Sequence, residues 1–175
     1  MKVKDLMIPI GELTTLGVDA ELGDVAKALQ EAKHRDVVII DARGAFAGIL
    51  TMTDILLELE PNYKKLAGSE VDTDTLAKRY VQDIFKEYNL WADALPNLCR
   101  KGCETKVSEA MYVPPESERV GEEEDLEVAL HRFILGTHQP LVVGDKKEVT
   151  GIIRLTDVFD EIIKRMYTCA CELKA

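Results

Sequence analysis

No apolar run in this sequence approaches the length needed to cross a bilayer; stretches such as Val37-Val38-Ile39-Ile40 end almost at once. The opening Met-Lys-Val-Lys-Asp starts no apolar secretory segment, so a cytoplasmic protein without a membrane partner is expected. Positive charge is also in short supply. Lys and Arg number 22 against 32 Asp and Glu, giving a formal charge of −10 and a pI near 4.8. Nucleic-acid binding depends on Lys and Arg displacing counterions from phosphates, so no DNA or RNA partner is expected, although a few local cations can still hold a small phosphate ligand. Cysteine is scarce. Cys99, Cys103, Cys169 and Cys171 are spaced C-x3-C and C-x-C, unlike the paired C-x2-C knuckles of zinc sites. They read as reduced thiols unless the two segments meet in space as a metal or redox site. Enzyme signatures are missing too: there is no G-x-S-x-G, H-E-x-x-H or P-loop, and His34, His131 and His138 have no evident nucleophile partner. Neither a catalytic centre nor a metal site is expected.

What the chain does have is a repeat. Gly48-Ile49-Leu50-Thr51-Met52-Thr53-Asp54-Ile55 returns as Gly151-Ile152-Ile153-Arg154-Leu155-Thr156-Asp157-Val158. The register holds upstream without a gap: Lys2-Val3 matches Lys106-Val107, Met7 matches Met111, Leu22 matches Leu126, His34 matches His138 and Asp41 matches Asp145. After Asp41 the first copy spends one extra residue, in the turn where Ala42-Arg43-Gly44 and Lys146-Lys147 stand.

Each copy reads in the same order. Thr14 to Val18 is extended, Asp19-Ala20-Glu21 offers a cap, and Leu22, Val25, Ala26 and Leu29 recur at helical spacing. Val37 to Asp41 and Ala47 to Thr51 form two strands around a turn, and Thr51 or Thr53 caps a helix carrying Ile55, Leu56 and Leu59. In the second copy Asp125 opens a helix through Leu126, Ala129, Leu130 and Phe133, strands follow at Leu141 to Val143 and Val149 to Arg154, and a last helix runs from Thr156 to Tyr167. The unit is β-α-β-β-α. One such unit cannot bury its sheet alone, so the expectation is an α+β fold of two repeats packed sheet to sheet about a pseudo-two-fold axis. The boundaries are 1–60 for the first repeat, 61–105 for a helical insert and 106–175 for the second repeat.

In the insert, Asp72-Thr73-Asp74 follows Gly68-Ser69-Glu70 as a helix start. Leu76, Tyr80, Ile84 and Tyr88 then form a stripe widened by Val81 and Phe85, with Trp91, Leu95 and Leu98 extending it. That face packs on the repeats, joins a homodimer interface, or docks a different protein.

The order of elements, the duplication, the phrases Val3 to Met7 and Val107 to Met111, and the two closing G-h-h-T-x-x-D-like motifs resemble tandem cystathionine β-synthase (CBS) domains. The resemblance implies a regulatory pair that binds an adenosine-containing ligand (AMP, ADP, ATP or S-adenosylmethionine) and requires no cofactor. A homodimer is implied as well, together with relay to a separate effector protein.

From the residues alone, a carboxylate at a helix start can accept two hydrogen bonds from a ribose, and neighbouring hydroxyls and free N–H groups can hold phosphate. Asp54 and Asp157 suit the first task, and Thr51, Thr53 and Thr156 the second; all are equally good helix caps. The resemblance favours contact with adenosine at Thr51, Thr53 and Asp54. Arg154 stands where the first copy has Thr51, and it either grips phosphate or fills the second cleft. The first site is therefore expected to be the more faithful nucleoside pocket. By resemblance the base lies against Ile8, Pro9, Ile10, Val37 and Val38 in the first copy, and against Val113, Pro114, Leu141 and Val142 in the second. Lys33, His34, Arg35, Arg132 and His138 are candidates to reach phosphates across the cleft. The competing reading is a dimeric interaction scaffold whose clefts no longer bind ligand.

Overall fold

The computed structural model describes residues 1–32, 35–63, 81–136, 138–145 and 148–172. The first repeat runs β1 (Ile8–Pro9), β2 (Thr14–Gly17), α1 (Leu22–Glu31), β3 (Val37–Ile40), β4 (Phe46–Leu50) and α2 (Met52–Leu59). The insert contributes α3 (Val81–Glu87) and α4 (Leu95–Gly102). The second repeat runs α5 (Val107–Ala110), α6 (Leu126–Ile134), β5 (Leu141–Gly144), β6 (Val149–Ile153) and α7 (Leu155–Glu172). The last helix starts where expected and continues beyond Tyr167. The expected helix start at 72–74, with Leu76 and Tyr80, lies outside the described residues, as do Lys33, His34 and the Lys146-Lys147 turn.

Strand β3 is apolar throughout because it is covered on both faces. Side chains alternate along a strand, so Val37 and Ile39 meet Leu22 and Val25 of α1, while Val38 meets the other sheet. Helix α6 buries Leu126, Ala129 and Phe133, the three-and-four spacing of one helical face. The β3–β4 turn is held by Asp41, whose Oδ1 accepts from the N–H groups of Arg43 (2.8 Å) and Ala45 (2.9 Å), with Gly44 at φ +79°.

Two three-stranded sheets result, in the orders β2-β3-β4 and β1-β6-β5. The second order shows that the opening segments are exchanged between repeats. Strand β1 leaves its own repeat and pairs antiparallel with β6, Ile8 opposite Ile152 and Pro9 opposite Gly151. Tyr112, the register mate of Ile8, does the reciprocal with β4: it exchanges two backbone hydrogen bonds of 2.8 Å with Ile49. The same mirror holds elsewhere. Leu126 N–H donates to the Met1 carbonyl as Leu22 N–H does to Thr105, and Lys2 reaches Asp125 (2.8 Å) as Lys106 reaches Glu21 (3.4 Å). The duplication is thus a pseudo-two-fold axis written in hydrogen bonds. It is incomplete: among the described residues no second-repeat strand matches β2, and Val120 only bridges to Val143.

The exchange explains the motif glycines. A Cβ on Gly151 would collide with the Ile8 carbonyl oxygen, and one on Gly48 would lie 2.8 Å from Met111 Sδ and 3.0 Å from the Tyr112 oxygen. Each repeat has its own core, and a third cluster of Ile8, Leu13, Val38, Ile49 and Ile152 fills the space between the sheets. The insert closes over the first repeat. Trp91 N–H donates to Glu60 Oε2 at 2.6 Å, its indole donates to Tyr63, and Ile84, Leu90 and Leu98 are buried. Phe85 and Leu95 on the same stripe are 40% and 57% exposed, and a turn at 88–90 follows α3.

Candidate functional site

Strand β4 ends at Leu50, and Thr51 caps α2 in a reciprocal box. Asp54 N–H donates to Thr51 Oγ1 (3.4 Å), while Asp54 Oδ2 accepts from Thr51 N–H (2.8 Å) and from the Thr51 hydroxyl (2.7 Å). The other carboxylate oxygen, Oδ1, lies 3.3 Å from His138 Nε2. Asp54 is only 8% exposed. Burial opposes its ionisation, but the hydrogen bonds from His138 and from the Thr51 side chain and backbone outweigh that and hold the carboxyl below its ordinary range. The His138 ring stacks on Tyr112, centroids 3.9 Å apart and planes 16° apart. Tyr112 in turn donates its hydroxyl to Glu118 at 2.6 Å, and burial together with that carboxylate pushes the phenol up to about 12.

The second repeat solves the same position differently. Arg154 occupies the place of Thr51 and forks onto Asp157, Nε to Oδ2 at 2.7 Å and Nη2 to Oδ1 at 2.6 Å. That hydrogen bonding raises the guanidinium pKa above its ordinary value in spite of partial burial. Arg154 lines the cleft described below, and in this state its guanidinium also neutralises the carboxylate of its own helix start.

Between the two helix starts lies a cleft of about 390 Å³, lined by Arg35, Asp36, Thr51, Met52, Thr53, Gln139, Pro140, Arg154, Leu155 and Thr156. These are five pairs of register mates, so the cleft sits on the pseudo-two-fold axis. Its chemistry is hydroxyls, the first turns of two helices, and two guanidiniums tempered by Asp36. Arg35 is tied through Nη1 to the Leu29 carbonyl at 2.6 Å. Thr53 and Thr156 are exposed in the cleft, whereas Asp54 and Asp157 are not among its lining residues.

The apolar candidates lie elsewhere. Val37 and Val38 are fully buried, Leu141 and Val142 nearly so, and Ile8 belongs to the core between the sheets. Ile10 packs on that core, Pro9 is exposed, and Val113 is 54% exposed. Pro114 is buried, with its carbonyl accepting from Arg119. The exchange also regroups them. Ile8 and Pro9 accompany β6 and therefore the Arg154–Asp157 end, while Tyr112 accompanies β4 and the Thr51–Asp54 end. Arg132 borders a different cavity, with Arg119, Glu116 and Asp145, and hydrogen-bonds the Ser117 carbonyl. His138 faces Asp54 and Tyr112. Tyr112 was not foreseen; the signal was an aromatic standing in the register position that Ile8 holds in the first repeat.

Among the described residues no cluster of His, Cys, Asp or Glu could hold a metal, and all four cysteines are exposed free thiols. No described helix is long and apolar enough to cross a membrane.

The family model for the CBS domain matches the chain twice, at residues 3–61 and 107–164. No curated protein matches the sequence significantly. Among solved structures, the CBS-pair protein CBSX2 from Arabidopsis thaliana is similar at 19% identity and a TM-score of 0.62, covering 95% of this chain and 96% of that one. CBSX2 in complex with AMP is similar at 18% identity and 0.60, covering 94% and 98%. A CBS-domain-containing protein of Agrobacterium tumefaciens is similar at 21% and 0.57, covering 91% of each.

Proposed function

The chain belongs to the CBS-domain family as a tandem pair, and from that premise we propose that it is a regulatory module for an adenosine-containing ligand. The observation that carries this reading is the cleft on the pseudo-two-fold axis, where two helix starts and two arginines converge. Free N–H groups and hydroxyls at helix starts hold phosphate oxygens, so the phosphates of AMP, ADP or ATP lie between Thr51-Thr53 and Arg154-Thr156. The nucleoside then extends toward Asp54, which takes the ribose hydroxyls, with Tyr112 of the exchanged segment nearby. S-adenosylmethionine shares the nucleoside but not the phosphates. The AMP held by a structurally similar CBS pair supports the nucleotide class.

A ligand spanning the axis touches both repeats and favours the arrangement in which both sets of contacts coexist; this is the physical content of regulation by population shift. The output passes to a separate effector protein in the cytoplasm. A second surface supports a homodimer: Met52 and Leu56 on α2, with Leu155, Phe159, Ile163 and Met166 on α7, are all between 38% and 62% exposed. The same face would serve the scaffold reading if the cleft bound nothing. The test is amide chemical-shift mapping of labelled protein with AMP. Shifts concentrated at Thr53, Asp54, Thr156 and Asp157 are expected; shifts confined to the α2–α7 surface, or none, would reject the site.

A further inference from the structure

The first carboxylate is already occupied from within. His138 Nε2 meets Asp54 Oδ1 at 3.3 Å, and the imidazole lies flat on Tyr112 at 3.9 Å. A planar heteroaromatic ring on an aromatic face, with a hydrogen bond to the adjacent carboxylate, has the chemistry of a nucleoside in the same place. The imidazole fits this place imperfectly: its Nδ1 is buried and has no hydrogen-bond partner among the described residues. Nor is it part of the helix cap. Thr51 holds Asp54 Oδ2 alone, so withdrawing His138 frees Oδ1 while the reciprocal box on α2 stays closed. Among the described residues the second repeat shows no such pair: Arg154 engages both oxygens of Asp157, and Ile8 stands in the register position of Tyr112.

We propose that His138 is a resident plug in the ring subsite of the first repeat, and that an adenine nucleoside binds there by displacing the imidazole from both Tyr112 and Asp54. This rests on the nucleotide reading above and deepens it: Tyr112 is the base platform, and His138 sets the affinity by competing with the ligand. The charged and titratable groups facing the plug are Asp54, Tyr112 and, beyond its hydroxyl, Glu118. Occupation of the subsite in the free protein lowers apparent affinity by the fraction of molecules in which it is filled.

Calorimetric titration with adenosine and with AMP decides the matter on wild type, His138→Ala and the double variant His138→Ala/Tyr112→Ala. Removing the plug should tighten binding of both ligands roughly tenfold, the scale of one competing hydrogen bond to a charged group. Removing Tyr112 from that background should weaken binding about 5- to 100-fold, as loss of a stacking platform does. A gain in affinity is not what mere loosening of the fold produces. His138→Asn gives the same comparison if the alanine variant does not fold. Wild-type binding that His138→Ala leaves equal or weakens overturns the plug alone. No heat from either ligand with any variant overturns the plug, and silence that extends to ADP, ATP and S-adenosylmethionine overturns the nucleotide reading with it.

Discussion

Replacing Asp54 by alanine removes three interactions at once, and the structure allows the cost to be worked out. The carboxylate closes the α2 cap by accepting from Thr51 N–H at 2.8 Å and from the Thr51 hydroxyl at 2.7 Å, and it faces His138 at 3.3 Å. Thr51 and Asp54 are 6% and 8% exposed, so water cannot readily replace the lost acceptor. A lost helix-start cap costs about 0.5–2 kcal/mol, and a buried donor left unpaired about 1–3 kcal/mol. Because the smaller side chain admits some solvent, the sum expected for Asp54→Ala is roughly 2–4 kcal/mol. The assay is urea denaturation, in which the midpoint should fall with little change in slope. Acidification supplies an internal control. The folded-state pKa of Asp54 is depressed, so its contribution is fully present above the unfolded carboxylate value of about 3.9 and is lost as pH falls through the lower folded value. The gap between wild type and variant should therefore be constant at neutral pH and shrink below about pH 4. A loss under about 0.5 kcal/mol at pH 7 would refute the reasoning, since it falls below even the weakest cap.

Other substitutions probe the exchange, the insert and the surface. Gly151→Ala should destabilise by about 3 kcal/mol or more and Gly48→Ala by about 1–2 kcal/mol, because the first meets a carbonyl and the second chiefly a movable methionine side chain. Equal, small shifts in urea midpoint would argue against the crossing segments. Glu60→Ala strips a 3%-exposed acceptor from Trp91 N–H and should cost about 1–3 kcal/mol. It should also red-shift the emission of the only tryptophan in the chain, and an unmoved spectrum would place the contact in doubt. Phe159→Glu puts a charge on the apolar face of α7, so sedimentation should find the variant monomeric where wild type is dimeric. A monomeric wild type removes the dimer from the account.

Much of this architecture was legible because its signals are local. Helical spacing in Leu126, Ala129 and Phe133, the doubly apolar β3, and a cap at Thr51 or Thr53, which the structure places at Thr51, are each set by neighbours within a few residues. The repeat then supplied the sheets and the pseudo-symmetry. The exchange of opening segments was not legible, because β1 is two residues long and its partner stands more than a hundred positions away. Gly48 and Gly151 marked the close approach without saying which segment approaches. The insert's stripe told that a face is apolar but not what covers each residue: Ile84 is buried while 40% of Phe85 remains exposed. At the site, the helix starts and the asymmetry of Arg154 were read from spacing. The satisfaction of both carboxylates by side chains was not, since the His138–Asp54 contact joins residues 84 apart and depends on where two repeats meet. A carboxylate's type predicts what it can accept, but only the packed structure shows what it already holds.

The central claim is that the axial cleft takes an adenosine-containing ligand. The most direct measurement is calorimetric titration of the purified protein and of His138→Ala with AMP, ADP, ATP and S-adenosylmethionine. Saturable binding of at least one of them, abolished by Asp54→Ala in a protein shown to be folded, is the predicted result. Silence from all four, with and without the histidine, would contradict the account and leave a scaffold.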